Sequence, residues 1–237
     1  MKRSIMATCL TLTLLWSAVT TASSGSQAVT PDEALQKLLD GNAQYAADTL
    51  TVGERSNAAS RTALAKSQKP YAIILACSDS RVPPELIFNK GLGEIFVVRV
   101  AGNVPDPIVI GSIEYAAEHL GSPLVMVLGH ERCGAVKATV ESKGKSTGSA
   151  NIDAIVKGIA PAAQQAAREC DACRGTTKCA DSKKDDFVEC VVTANAKRVA
   201  AYLPKQSKIL KHLIAEGKLK IVAARYDLDD GVVSLLK

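Results

Sequence analysis

Two short polar segments hold the residue types from which a reactive centre could be built: Cys77-Ser78-Asp79-Ser80-Arg81, and Gly129-His130-Glu131-Arg132-Cys133-Gly134. His130 and Cys133 at a three-residue spacing, joined by the distant Cys77, offer two thiolates and an imidazole. These are soft and borderline donors of the kind that suit a tetrahedral Zn²⁺ ion. A fourth position would fall to Asp79 or to water. Arg81, always charged and planar, could instead hold the Asp79 carboxylate in a two-point fork. The spacing alone leaves two readings open. One is a metal centre; the other is a pair of small buried cysteines, a hydrogen-bonded histidine and an Asp79–Arg81 turn.

Both segments follow runs of Val, Ile and Leu that read as buried strands, at 71–76 and 123–128; similar runs lie at 95–100 and 219–224. None shows the apolar/polar alternation of a half-exposed sheet. Helix-period segments at 108–120, 135–141, 151–169 and 187–201 lie between and around them, so strands alternate with helices. That pattern predicts an α/β fold, a mainly parallel central sheet flanked by helices. In such a sheet, segments about fifty residues apart can meet at the C-terminal edges of their strands, where ligand sites form. Thr30-Pro31-Asp32-Glu33 supplies an N-cap, a first-turn proline and first-turn acids for a helix running toward Tyr45. A second N-terminal helix is expected over 56–67, and 142–149 reads as a Gly/Ser/Lys-rich loop.

Three runs, ACSDSRVPPE from Ala76, VVRVAGNV from Val97 and GHERCGAVKA from Gly129, closely resemble the signatures of the β-class carbonic anhydrases. The closing LKIVAARYDLDDGVVSLL is similar to that family's final strand pair, so the resemblance covers the chain from about Asp32 onward. It implies that Cys77, His130 and Cys133 ligate one Zn²⁺ per subunit and that Asp79 and Arg81 form the catalytic dyad. Asp79 either closes the site as a fourth ligand or pairs with Arg81 and leaves that position to water. The implied chemistry is attack of zinc hydroxide on CO₂ to give bicarbonate and a proton, since zinc brings the pKa of its water toward about 7. Offsets from these anchors match the family's plant-type branch at Gln68, Phe96 and Tyr115, implying a substrate pocket completed by a neighbouring subunit. Spacing alone would make Phe96 and Tyr115 ordinary core aromatics. A homodimer or larger homo-oligomer with N-terminal dimerisation helices is implied too. The other branch has a non-catalytic bicarbonate site that relies on a tryptophan; the sole tryptophan here is Trp16. Two rivals remain: a CS₂ or COS hydrolase on the same fold, and a zinc-binding assembly protein without catalysis. The intact Asp79 and Arg81 argue against the second.

Lys2 and Arg3 precede an apolar stretch from Ile5 to Val19, then small residues at Ala22 and Ala28. This reads as a signal peptide, 1–22, with cleavage after 22 or 28, and the run is short of the roughly 18 residues of a spanning helix. The expectation is a periplasmic or secreted protein without a stable membrane anchor, whose catalytic domain is 29–237. In an oxidising compartment, Cys170, Cys173, Cys179 and Cys190, in or beside a polar excursion at 170–190, are expected to form two disulfides, with three connectivities open. The Cys170/Cys173 spacing also admits a second, structural zinc site. A formal charge of +5 from 29 basic and 24 acidic residues, without a basic block or interleaved aromatics, excludes a nucleic-acid binder. His119 and His212 stand outside the signature segments, His119 reading as a surface or packing residue.

Overall fold

The computed structural model describes residues 29–170 and 184–237. The expected signal peptide with Trp16, and Cys173 and Cys179 of the excursion, lie outside the described residues. In chain order the elements are α1 Pro31–Ala46, α2 Ala58–Leu64, β1 Ala72–Ala76, α3 Pro84–Ile87, β2 Ile95–Arg99, α4 Pro107–Glu118, β3 Leu124–His130, α5 Gly134–Ser142, α6 Ala150–Glu169, α7 Lys184–Gln206, α8 Lys208–Ala215, β4 Lys220–Tyr226 and β5 Val233–Leu236. A short 3₁₀ turn, Ala101–Asn103, follows β2.

The strands form one sheet in the order β2-β1-β3-β4-β5, with β1 to β4 parallel and β5 antiparallel to β4. From β1 the chain moves outward to β2, then crosses back through α4 to place β3 on the other side of β1. The order therefore reverses between β1 and β3, and the loops leaving their C-terminal ends diverge to open a crevice. Cys77 and His130 stand at those two ends.

Side chains alternate across the sheet, so each central strand feeds two cores. Ile74, Ala76, Met126, Leu128 and Tyr226 pack with Ala34 and Leu38 of α1 and with Phe88. Ile73, Leu75, Val125 and Val127 pack with Ile113 and Ala116 of α4, Val199 and Leu203 of α7, and Leu210 of α8. A third cluster lies beyond the strand ends, where Cys77 and Cys133 meet Val136, Ile159, Val188, Val191 and Val192 of α5, α6 and α7.

Thr30 caps α1 through the reciprocal box with Glu33. Buried Asn42 then ties that helix to the rest of the fold, donating to the carbonyls of Ile87 and Gly231 and accepting the Val233 amide. Several expectations need adjusting. β2 is not a buried strand: its residues are half-buried and Arg99 is exposed, because it sits at a sheet edge with one neighbour. β4 runs two residues further than expected, to Tyr226, where it meets β5. α7 continues to Gln206, through Pro204, and Ser207 caps the separate helix α8, which the periodicity did not single out. α2 is shorter than 56–67.

Candidate metal centre

Cys77 follows β1, His130 ends β3, and Cys133 sits just ahead of α5; all three are buried. Their donor atoms lie within 4.8 Å of one another. Local structure explains the spacing. The chain leaves β3 and turns through Arg132, whose φ of 50° is left-handed, which brings Cys133 back beside His130 at the start of α5. For a non-glycine residue that conformation costs on the order of 1 kcal/mol, so something outside the turn must hold it.

The imidazole is oriented for coordination. His130 Nδ1 lies 2.9 Å from the carbonyl oxygen of Glu131, a bond that fixes the proton on Nδ1 and leaves the Nε2 lone pair free. Nε2 is buried and has no hydrogen-bond partner among the described residues. A buried nitrogen with no donor to accept from is costly unless a cation takes it. The sulfurs give the same indication. Cys133 beside it holds the Cys77 thiol below the ordinary range. Cys133 is pushed up by the adjoining Cys77 side chain, by burial and by the negative charge of Cys77. The opposite directions show that two thiolates side by side are unfavourable here on their own, and a divalent cation is what would let both ionise. The donor set and its geometry fit a metal ion.

Asp79 lies at the rim. Arg81 grips it with both arms of the fork, Nε to Oδ1 at 2.9 Å and Nη2 to Oδ2 at 2.8 Å, and the Arg81 amide adds a third bond to Oδ1 at 3.0 Å. These bonds hold the Asp79 carboxyl well below the usual carboxylate range. Of the two arrangements considered for Asp79, this is the one in which it faces Arg81: it stands outside the Cys77–His130–Cys133 group, with Oδ2 4.0 Å from His130 Nε2.

Four further residues serve the centre and carry no signal in the two polar segments. Arg99 donates to the carbonyls of Cys77 at 2.9 Å and Asp79 at 2.6 Å, stiffening the ligand loop from β2. The Gly102 amide donates to Cys77 Sγ at 3.3 Å. Gly102 has φ +66°, and a Cβ there would stand 2.6 Å from Ile159 Cδ1, so glycine is required on both counts. Asn195 of α7, buried, donates to the Gly102 carbonyl at 3.0 Å, and Glu189 of α7 accepts the Arg132 amide at 2.7 Å. Arg99 and Gly102 sit inside the VVRVAGNV run and could have been read there. Nothing in sequence ties α7 to the loops it supports.

A family model described as carbonic anhydrase matches residues 72–233. The chain belongs to the carbonic anhydrase family. It is 37% identical over 202 residues to carbonic anhydrase 2 of Mycobacterium tuberculosis, covering 85% of this chain and 90% of that one. It is 29% identical over 181 residues to β carbonic anhydrase 3 of Arabidopsis thaliana, covering 73% and 66%. Among solved structures, the Coccomyxa β-carbonic anhydrase in complex with acetazolamide superposes with a TM-score of 0.65 at 26% identity, covering 85% of this chain and 86% of that one. The β-class fold expected from the signatures is therefore the observed one.

For this β-class carbonic anhydrase chain, the remaining expected residues divide. Phe96 and Tyr115 come together, ring centroids 6.4 Å apart, with Tyr115 also against exposed His119. Phe96 pairs with Ile73, four positions short of Cys77 and so roughly 13 Å along the strand, so one chain does not bring it to its own centre. Gln68 lines a separate groove of about 560 Å³ with Arg61, Leu64 and Leu92. Cys170 is disulfide-bonded to Cys190, joining the end of α6 to α7, while Cys173 and Cys179 lie outside the described residues.

Proposed function

We propose that the protein is a zinc enzyme that reversibly hydrates carbon dioxide to bicarbonate and a proton. The observation that carries this reading is the buried Cys77–His130–Cys133 group, with an unpartnered His130 Nε2 and an Arg81-clasped Asp79 at its edge. Bound by those three residues, zinc supplies the Lewis acidity that makes water nucleophilic near neutral pH.

The chain's own groups do the rest. Arg81 keeps Asp79 ionised and aimed, so its carboxylate accepts a hydrogen bond from the attacking water and turns the oxygen lone pair toward the CO₂ carbon. Arg99 and the Gly102 amide hold the loop that carries Cys77 and Asp79, so this alignment costs little reorganisation at the moment of reaction.

A second copy of the chain completes the pocket. The open edge of β2 and the distance of Phe96 from its own Cys77 support a homodimer in which Gln68, Phe96 and Tyr115 serve the substrate across the interface. Residues 29–237 act as the catalytic domain after removal of the leader. The Cys170–Cys190 disulfide supports export to the periplasm or beyond.

Stopped-flow CO₂ hydration beside zinc quantification tests the reading. One zinc per chain and rapid hydration are expected, and Asp79→Asn should keep the zinc and lose most turnover. Stoichiometric zinc with negligible hydration at alkaline pH would overturn it, and loss of zinc in Asp79→Asn would make Asp79 a structural ligand instead.

A further inference from the structure

The turn between the two ligands of the second segment is pinned from outside at every residue. Glu131 bonds Arg225 at 2.5 Å, and the Arg132 guanidinium forks onto Asp229 at 2.9 and 2.8 Å. Those contacts hold side chains. The left-handed backbone of Arg132 is held on its amide side by Glu189, whose Oε1 accepts the Arg132 N–H at 2.7 Å, while its carbonyl accepts a longer bond from Arg81 Nη2 at 3.4 Å. The other Glu189 oxygen, Oε2, is buried and accepts nothing among the described residues. Glu189 is thus committed to a single backbone contact, one residue ahead of Cys133. The next residue along α7 is Cys190, bonded to Cys170 at the end of α6. Two features that the sequence places far from the reactive segments therefore meet at the metal turn.

We propose that Glu189 is a positioning residue for the metal core, fixing the Glu131–Arg132 turn so that His130 and Cys133 converge, and that the Cys170–Cys190 disulfide fixes Glu189. The inference rests on the zinc reading above. A turn held in its bound shape releases metal slowly, because a ligand must swing away before the ion can leave. Without the acceptor, Arg132 can relax to an ordinary conformation and carry Cys133 with it. In an oxidising compartment the disulfide forms once and keeps the first turns of α7 against α6, so the acceptor stays in place.

The experiment is zinc transfer from the full-length, zinc-loaded protein to a chromogenic chelator, with zinc content before transfer and far-ultraviolet circular dichroism as controls. Glu189→Ala should release zinc about tenfold faster, the lower end of what loss of an outer-shell partner does. Glu189→Gln should stay near the wild-type rate, because its amide oxygen accepts the same N–H and its nitrogen takes the place of the unpaired Oε2. Cys170→Ser/Cys190→Ser should also accelerate release, and adding Glu189→Ala to it should bring little more. An unchanged rate in Glu189→Ala, or a Gln variant as fast as the Ala variant, would overturn the role of Glu189. A wild-type rate in the double serine variant would overturn the role of the disulfide. Failure of the zinc reading is distinguishable, since wild-type protein would then carry no zinc at the outset.

Discussion

Gly102→Ala is the sharpest single test of how the ligand loop is built. The new methyl group would stand 2.6 Å from Ile159 Cδ1 and 3.1 Å from Ala135 Cβ, at a backbone φ of +66°. The left-handed conformation costs a residue with a Cβ roughly 1–2 kcal/mol. Overpacking adds about 1–3 kcal/mol, toward the low end if the flexible Ile159 tip moves aside and higher because the Ala135 methyl has nowhere to rotate. The expected loss is roughly 2–5 kcal/mol, a large part of the about 5–15 kcal/mol that stabilises a typical domain. Gly121→Ala is the control, since φ there is +70° but a Cβ would meet nothing within 4 Å. That variant keeps the strain and omits the clash. Urea unfolding at fixed protein and zinc concentrations should place the Gly102→Ala midpoint about 1 M or more below wild type and clearly below Gly121→Ala. Equal midpoints for the two variants would refute the argument that the close approach of α5 and α6 dictates glycine at 102.

Further outcomes follow from the same contacts. Because Arg81 depresses the Asp79 pKa, the stability from this pair is complete above the unfolded-state value of about 3.9 and is lost as pH falls from there toward the lower folded value. Carboxyl-carbon NMR titration should therefore show Asp79 titrating below the ordinary range in wild type and returning toward it in Arg81→Ala; an unchanged midpoint would remove Arg81 as the cause. Arg81→Lys should retain zinc but lose much of the hydration rate, because an ammonium cannot reproduce the two-point fork on Asp79. Reducing the Cys170–Cys190 bond, which spans 20 residues, should cost about 3 kcal/mol, read as a lower thermal midpoint in the double serine variant. Thr30→Ala should cost about 1 kcal/mol by removing the box that starts α1, and a wild-type unfolding midpoint would count against it.

The α/β class was legible because its signal is local. β1 and β3 are buried on both faces and read as unbroken apolar runs, while the Thr30 box and the Pro31 start mark α1 by themselves. β2 misled for the same reason. Apart from Arg99 its residues are as apolar as those of β1, and only the sheet order reveals that one edge of it is open. The end of α7 and the start of α8 were blurred because amphipathic period continues across Ser207, and the break is a capping hydrogen bond rather than a change of composition.

By itself the sequence determined which atoms could bind a metal: two thiols and an imidazole at the ends of two strands, with a carboxylate and a guanidinium two residues apart beside the first. Residues so near in sequence reach each other through one turn, as Asp79 and Arg81 do. Tertiary structure alone decided what holds those atoms in place. Arg99 reaches the Cys77 loop because β2 lies beside β1, Asn195 and Glu189 because α7 packs across the strand ends, and Gly102 is forced by the approach of Ile159. Such long-range contacts depend on topology and packing distances, which no spacing within a short segment encodes.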